Sequence, residues 1–112
     1  MKLKSQKKSK PPSYLLPATR KWWASVVEDF EMEPHHRLLL TAACEALDRV
    51  TLAREAVAVD GAFFTDRHGA RKPHPGLIVE RDNRTLFARL LRELALDVDA
   101  PDAPRPPQIG GY

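Results

Sequence analysis

From Pro34 to Val59 the chain contains no glycine and no proline after its first residue, so nothing in its backbone chemistry interrupts a single helix of about 26 residues, reaching roughly 39 Å at 1.5 Å per residue. That is a long rod for a protein of 112 residues, and everything else must be arranged around it. Leu40, Ala43, Leu47, Val50 and Val57 follow the 3,4 spacing of one helical face, and Leu39, Ala42, Ala46, Ala53 and Ala56 widen it. The alanines allow a neighbouring helix to come close. Gly61 is the natural stop.

Two further helices flank the rod. Trp22, Trp23, Val26, Val27 and Phe30 recur on one stripe, which predicts a helix from Ala18 to about Met32, opened by Pro17, whose missing N–H costs nothing at a helix start. His74-Pro75 opens the last helix, which is expected to run to about Leu96 with Ile78, Val79, Leu86, Phe87, Leu90, Leu91 and Leu94 as its apolar stripe. Between the second and third helices, Ala62-Phe63-Phe64-Thr65 and Ala70-Arg71-Lys72 surround the polar turn Asp66-Arg67-His68-Gly69, the pattern of a short β-hairpin near 62–73. So short a connection predicts that the last helix packs antiparallel on the long one.

The fold class expected is therefore mainly α: three helices, the last two forming a long antiparallel helical hairpin with a short β-hairpin between them, and extended N- and C-terminal arms. Residues 13–96 form the helical oligomerisation domain of this scheme. Residues 1–12 are expected to be a disordered basic arm, because five lysines and almost no apolar side chains cannot offset an ordering cost of ~1–2 kcal/mol per residue. Residues 97–112 hold four of the ten prolines and two adjacent glycines, which predicts an extended arm.

Charge is sorted along the chain. The net charge is +3, but Lys2, Lys4, Lys7, Lys8 and Lys10 place +5 in the first ten residues, leaving −2 for the remainder. Residues 28–66 hold three basic and nine acidic side chains, whereas residues 67–92 hold seven basic and two acidic. The lysine arm suits nonspecific, salt-sensitive neutralisation of DNA phosphates, its alternative being a solubilising tail. Arg67, Arg71, Lys72, Arg81 and Arg84 cluster at the hairpin and the start of the last helix as a second DNA-contact candidate, whose alternative is a solvated face or pairing with the acidic segment of another copy. Arg81 and Arg84 are expected to meet the acidic segment of another copy, since a ring needs two different patches that fit each other.

A domain this small leaves much of its surface exposed, so self-association has a physical motive. Trp22 and Trp23 are expected to serve core and interface rather than base stacking, and Leu40, Leu47 and Val50 are placed with them at the contact between copies. One cysteine, Cys44, excludes an intramolecular disulfide, and no apolar run approaches the roughly 20 residues that span a bilayer, which fits a reducing cytoplasm and no membrane partner. Pro11-Pro12-Ser13 stands where an export signal would need its apolar segment, so none is expected. His35, His36 and Cys44 lack zinc spacing. His68 and His74, near Asp66, invite an acid–base reading, but no glycine-rich phosphate loop or carboxylate cluster accompanies them. No metal, cofactor or enzymatic activity is expected.

The order of these elements and several residue blocks together resemble the bacteriophage terminase small subunit family, in the branch commonly found with HNH endonucleases. The blocks are Pro11-Pro12 and Leu15-Leu16 with Trp23 and Glu28-Asp29-Phe30; then Leu38-Leu39, Ala42-Ala43, Ala46, Asp48-Arg49, Ala53-Arg54 and Asp60-Gly61; then Arg71-Lys72-Pro73-His74-Pro75 and Leu90-Leu91-Arg92-Glu93-Leu94-Ala95-Leu96. Ala95 stands where the family usually carries glycine, and the acidic Asp97-Val98-Asp99 where a proline or polar turn is more usual. The resemblance implies a non-catalytic homo-oligomeric ring that engages double-stranded phage DNA in the host cytoplasm and delivers it to the large terminase subunit, the ATPase and nuclease, with an HNH endonuclease as a further partner. The contrasting reading is a small helical DNA-binding regulator or antitoxin-like module, which should instead show two short helices joined by a tight turn.

Overall fold

The computed structural model describes residues 9–94, which form three helices and a two-stranded sheet in the order α1 (Pro17–Asp29), α2 (Pro34–Asp60), β1 (Phe63–Thr65), β2 (Arg71–Pro73) and α3 (Pro75–Leu94). The mainly helical fold with a β-hairpin between its last two helices is the one expected. The ends predicted for the third helix at 95–96, the arm at 97–112 and most of the arm at 1–12 lie outside the described residues. Pro11 and Pro12 are half-buried, so the packed part of the chain begins before residue 13.

α2 spans 27 residues without a break, as its composition dictates. Glu33 is extended (φ −76°, ψ 162°), the conformation forced on a residue before proline, and Pro34 then supplies the first helical position. At the other end Gly61 adopts φ 90°, which a side chain would resist, while its N–H donates to the Val57 carbonyl at 2.7 Å.

α1 is shorter than its apolar stripe suggests. It ends at Asp29 rather than near Met32, and Phe30 is already extended (φ −127°, ψ 146°), with its N–H still bonded to the Val26 carbonyl at 3.0 Å. Phe30 and Met32 pack against the core from the connecting segment. Pro34 requires an extended residue before it, so the chain has to leave the helix ahead of Glu33.

The core sits where α1 crosses the first half of α2: Leu15, Trp23, Val26, Leu40 and Cys44 are buried together, with Trp22, Val27, Phe30, Met32 and Leu94 packed around them. The indole N–H of Trp23 donates to Thr41 Oγ1 at 3.1 Å, so its one polar atom is satisfied. The start of α1 is held from a distance. Leu16, the residue before Pro17, has no side-chain cap, and Asp48 of α2 replaces it, accepting the Leu16 N–H at 2.9 Å and the Thr19 hydroxyl at 2.6 Å.

α3 runs antiparallel to α2. Gly76 in its first turn packs beside Ala53 and Val57, Glu80 pairs with Arg54 (3.6 Å), Asn83 accepts a bond from Arg49 (2.9 Å), and Leu94 reaches the core at the far end. Close approach depends on small residues: a Cβ on Gly76 would lie 3.1 Å from Val57 Cγ2 and 3.2 Å from the Ala53 carbonyl oxygen. Buried Ala43, Ala46 and Ala53 form the complementary track on α2.

Candidate nucleic-acid interface

The β-hairpin stands clear of the helices, and all six of its strand residues are exposed. Its register pairs Phe63 with Pro73, Phe64 with Lys72 and Thr65 with Arg71. Because successive strand residues face opposite sides, Arg71 shares one face with Phe63 and Lys72 shares the other with Phe64. The Arg71 guanidinium lies over the Phe63 ring at 5.4 Å, a cation–π contact that holds the charge on that face of the sheet.

Asp66 builds the turn at the hairpin's tip. Its Oδ1 accepts the N–H groups of His68 and Ala70, both at 2.9 Å, its carbonyl accepts the Gly69 N–H at 3.0 Å, and Gly69 takes φ 83° to close the loop. Its second oxygen lies 3.7 Å from Lys72 Nζ. Arg67 projects from this turn, exposed. The structure thus gathers the predicted Arg67, Arg71 and Lys72 onto one projecting ribbon, with a cation at the tip and one on each face. Lys10 is exposed; Lys2, Lys4, Lys7 and Lys8 lie outside the described residues.

His74 sits at the base of the ribbon with both ring nitrogens engaged. Nδ1 accepts the Gly76 N–H at 2.8 Å, capping the first turn of α3, so Nε2 carries the proton and donates to Asp60 Oδ2 at 2.9 Å. The pair ties the last residue of α2 to the first turn of α3. Its geometry is that of a helix cap. Among the described residues no three His, Cys, Asp or Glu side chains are grouped to hold a metal ion, and no helix is long and apolar enough to cross a membrane.

The residues expected at an interface between copies divide. Trp23, Leu40 and Val50 are buried within the single chain, so their side chains offer no surface to a neighbour: a helical stripe identifies an apolar face, and here α1 and α3 already cover it. Trp22 and Leu47 are half-buried, Trp22 lying against Phe87 with ring centroids 5.8 Å apart. Arg81 and Arg84 are exposed but have partners in their own helix, Asp82 and Glu80 respectively. The apolar side chains that do face solvent are others, among them Tyr14, Leu38, Leu52, Val59, Phe63 and Ile78. For Leu38, Leu52 and Val59 the signal in the sequence is their spacing by multiples of seven, in a row outside the stripe that forms the core.

Cys44 is buried beneath α1, and its thiol is pushed up to about 12, first by burial and then by the nearby Asp48 and Glu45 carboxylates. A thiol so protonated and enclosed is a packing group rather than a nucleophile. Compared with known proteins, the chain has no significant match to a family model, to a curated protein or to a solved structure.

Proposed function

We propose that this protein is a non-catalytic, self-associating DNA-binding adaptor of the terminase small subunit type, acting in the cytoplasm of a phage-infected host to engage the viral genome and present it to the large terminase subunit. The observation that carries the reading is the projecting hairpin, whose Arg67, Arg71 and Lys72 are exposed and which contributes no buried side chain to the core. A ribbon with cations at its tip and on both faces can follow a phosphate backbone from inside a groove, the way two-stranded ribbons meet duplex DNA. The lysine-rich first ten residues add a sequence-independent electrostatic contribution.

Two further features support the adaptor over the regulator. α2 continues for 27 residues without the tight turn that a helix-turn-helix needs. Among the described residues, eight large apolar side chains face solvent, a surface that association would cover. The link to genome packaging, and with it the HNH endonuclease as a further partner, rests on the resemblance of several residue blocks to those of the terminase small subunits.

The test is the absolute mass of the full chain in solution, with and without duplex DNA. A ring of more than about six copies that binds duplex with a steep salt dependence is expected. A monomer or an isolated dimer at all concentrations overturns the ring, and absence of binding at low ionic strength overturns the DNA-binding reading.

A further inference from the structure

The face of α2 turned away from both α1 and α3 is apolar at regular intervals and open: Leu38 is 73% exposed, Leu52 53% and Val59 85%. Seven residues make nearly two helical turns, so Leu38, Glu45, Leu52 and Val59 lie in one row along the rod. Ala42, Arg49 and Ala56 form the adjoining row, each four residues after a member of the first. None of these seven residues is buried, and together they have the a/d layout of a coiled-coil seam.

We infer that this face pairs with the same face of a second copy, α2 against α2, antiparallel about a two-fold axis that passes close to position 47. In an antiparallel pair each residue of one row meets a residue of the other. The register centred on position 47 sets Leu38 against Ala56 of the other copy, Ala42 against Leu52, Glu45 against Arg49, and Val59 against the exposed His35, which continues the second row one heptad before Ala42; the two-fold repeats each contact. Large meets small in the apolar layers, and opposite charges meet in the middle.

Other arrangements fail on charge. Sliding one helix by a heptad brings Arg49 against Leu38 or Leu52 and leaves Glu45 against an alanine. A parallel pair puts Glu45 against Glu45 and Arg49 against Arg49, which like-charge repulsion disfavours. The chain also positions the two charged groups. The Tyr14 hydroxyl bonds to the Glu45 carboxylate on one flank of the seam, and Arg49 Nε donates to Asn83 Oδ1 at 2.9 Å on the other. The Arg49 guanidinium keeps further N–H groups for a carboxylate arriving from opposite.

A self-complementary contact of this kind closes after two copies and uses a surface separate from the hairpin and from Arg81 and Arg84. It is independent of the packaging reading: alone it gives a dimer, and combined with a ring contact it gives a ring of pairs.

The test is a charge swap on the full chain, read by absolute mass. Glu45→Arg alone and Arg49→Glu alone each set like charges together in the register centred on 47, and each is expected to halve the assembled mass. Mixing the two single variants restores both Glu–Arg contacts in the mixed pair, so the original mass should return, as it should in the double variant Glu45→Arg, Arg49→Glu. Cross-linking gives a second readout. Ala42→Cys mixed with Leu52→Cys should form an intermolecular disulfide, whereas Leu38→Cys should not link to itself, its mate lying about 27 Å away along the rod. Single variants that keep the wild-type mass, variants that fail to recover on mixing, a Leu38→Cys homodimer, or a wild-type mass of one chain would each overturn the inference. The last outcome would leave the face to residues 95–112 or to solvent.

Discussion

Asp48, in the middle of α2, accepts the backbone N–H of Leu16 at 2.9 Å, although the two lie 32 residues apart in the chain. Its other oxygen takes the Thr19 hydroxyl at 2.6 Å. A helix normally satisfies its first N–H groups with a side chain of its own N-cap residue, and leucine has none to offer. Here a carboxylate from a neighbouring helix holds the N–H of the N-cap residue and a hydroxyl of the first turn, and places negative charge at the positive end of the α1 dipole. Asp48 is itself buried, so its hydrogen bonds offset its desolvation.

Replacing Asp48 with alanine leaves the Leu16 N–H and the Thr19 hydroxyl without their partner, and the expected loss is about 2–3 kcal/mol in chemical denaturation. Thr19→Val should cost about 1 kcal/mol, and the two changes should be strongly non-additive because they remove the same bond. Additive losses would show that Asp48 acts through Leu16 alone.

Gly76→Ala replaces a poor helix former with the best one, yet the expected outcome is destabilisation. The added methyl would sit 3.0 Å from His74 Nδ1 as well as against Val57 and Ala53, forcing α3 off α2. The strain should outweigh a propensity gain of up to ~1 kcal/mol and leave a net loss of about 1–2 kcal/mol in urea denaturation.

His74→Ala removes the cap of α3 and the bond to Asp60, and is expected to lower stability by about 1 kcal/mol. Affinity for duplex DNA, measured well below the unfolding transition, should not change. A loss of DNA binding without a loss of stability would instead give His74 a direct role at the interface.

Removing residues 1–10, and separately replacing Arg67, Arg71 and Lys72 with alanine, should each weaken duplex binding and flatten its dependence on salt. Each lost phosphate contact lowers the logarithmic salt slope by ~0.9, so the triple hairpin variant should lose up to about 3. Unchanged slopes would assign the arm to solubility and the hairpin cations to a solvated face. Neither change should alter the assembled mass.

The Cys44 thiol, held at about 12 in the folded chain against an ordinary 9.0, favours the folded state while it is protonated. Its contribution is fully present below pH 9 and is lost as pH rises towards 12, the unfolded chain releasing its proton first. Stability should therefore fall more steeply over this window in the native protein than in Cys44→Ala. Thiol reagents at neutral pH should react with Cys44 only on unfolding.

Features set by near neighbours were legible before the structure. The unbroken α2 follows from the absence of glycine and proline within it, its end from Gly61, and the hairpin from an Asp-Arg-His-Gly turn between Ala62–Thr65 and Ala70–Lys72, because each depends on groups within about four residues. The end of α1 was less so. Phe30 and Met32 continue helical spacing closely enough that periodicity alone assigns them to the helix, while in the folded chain they reach the core from an extended link.

Which apolar face is covered, and by what, could not be read from spacing. Trp23, Leu40 and Val50 carry the same signal as any surface stripe, and it is the arrival of α1 and α3 that buries them while Leu38, Leu52 and Val59 stay open. The sequence by itself determined three helices, their approximate bounds and the basic ribbon between the last two, since local hydrogen bonding and backbone sterics act along the chain. Only the tertiary structure decided that Asp48 caps a helix 32 residues away, that His74 spends both nitrogens on a helix junction, and which side of α2 is left free. Those outcomes depend on surfaces meeting in space, and the chain order of residues does not encode such meetings locally.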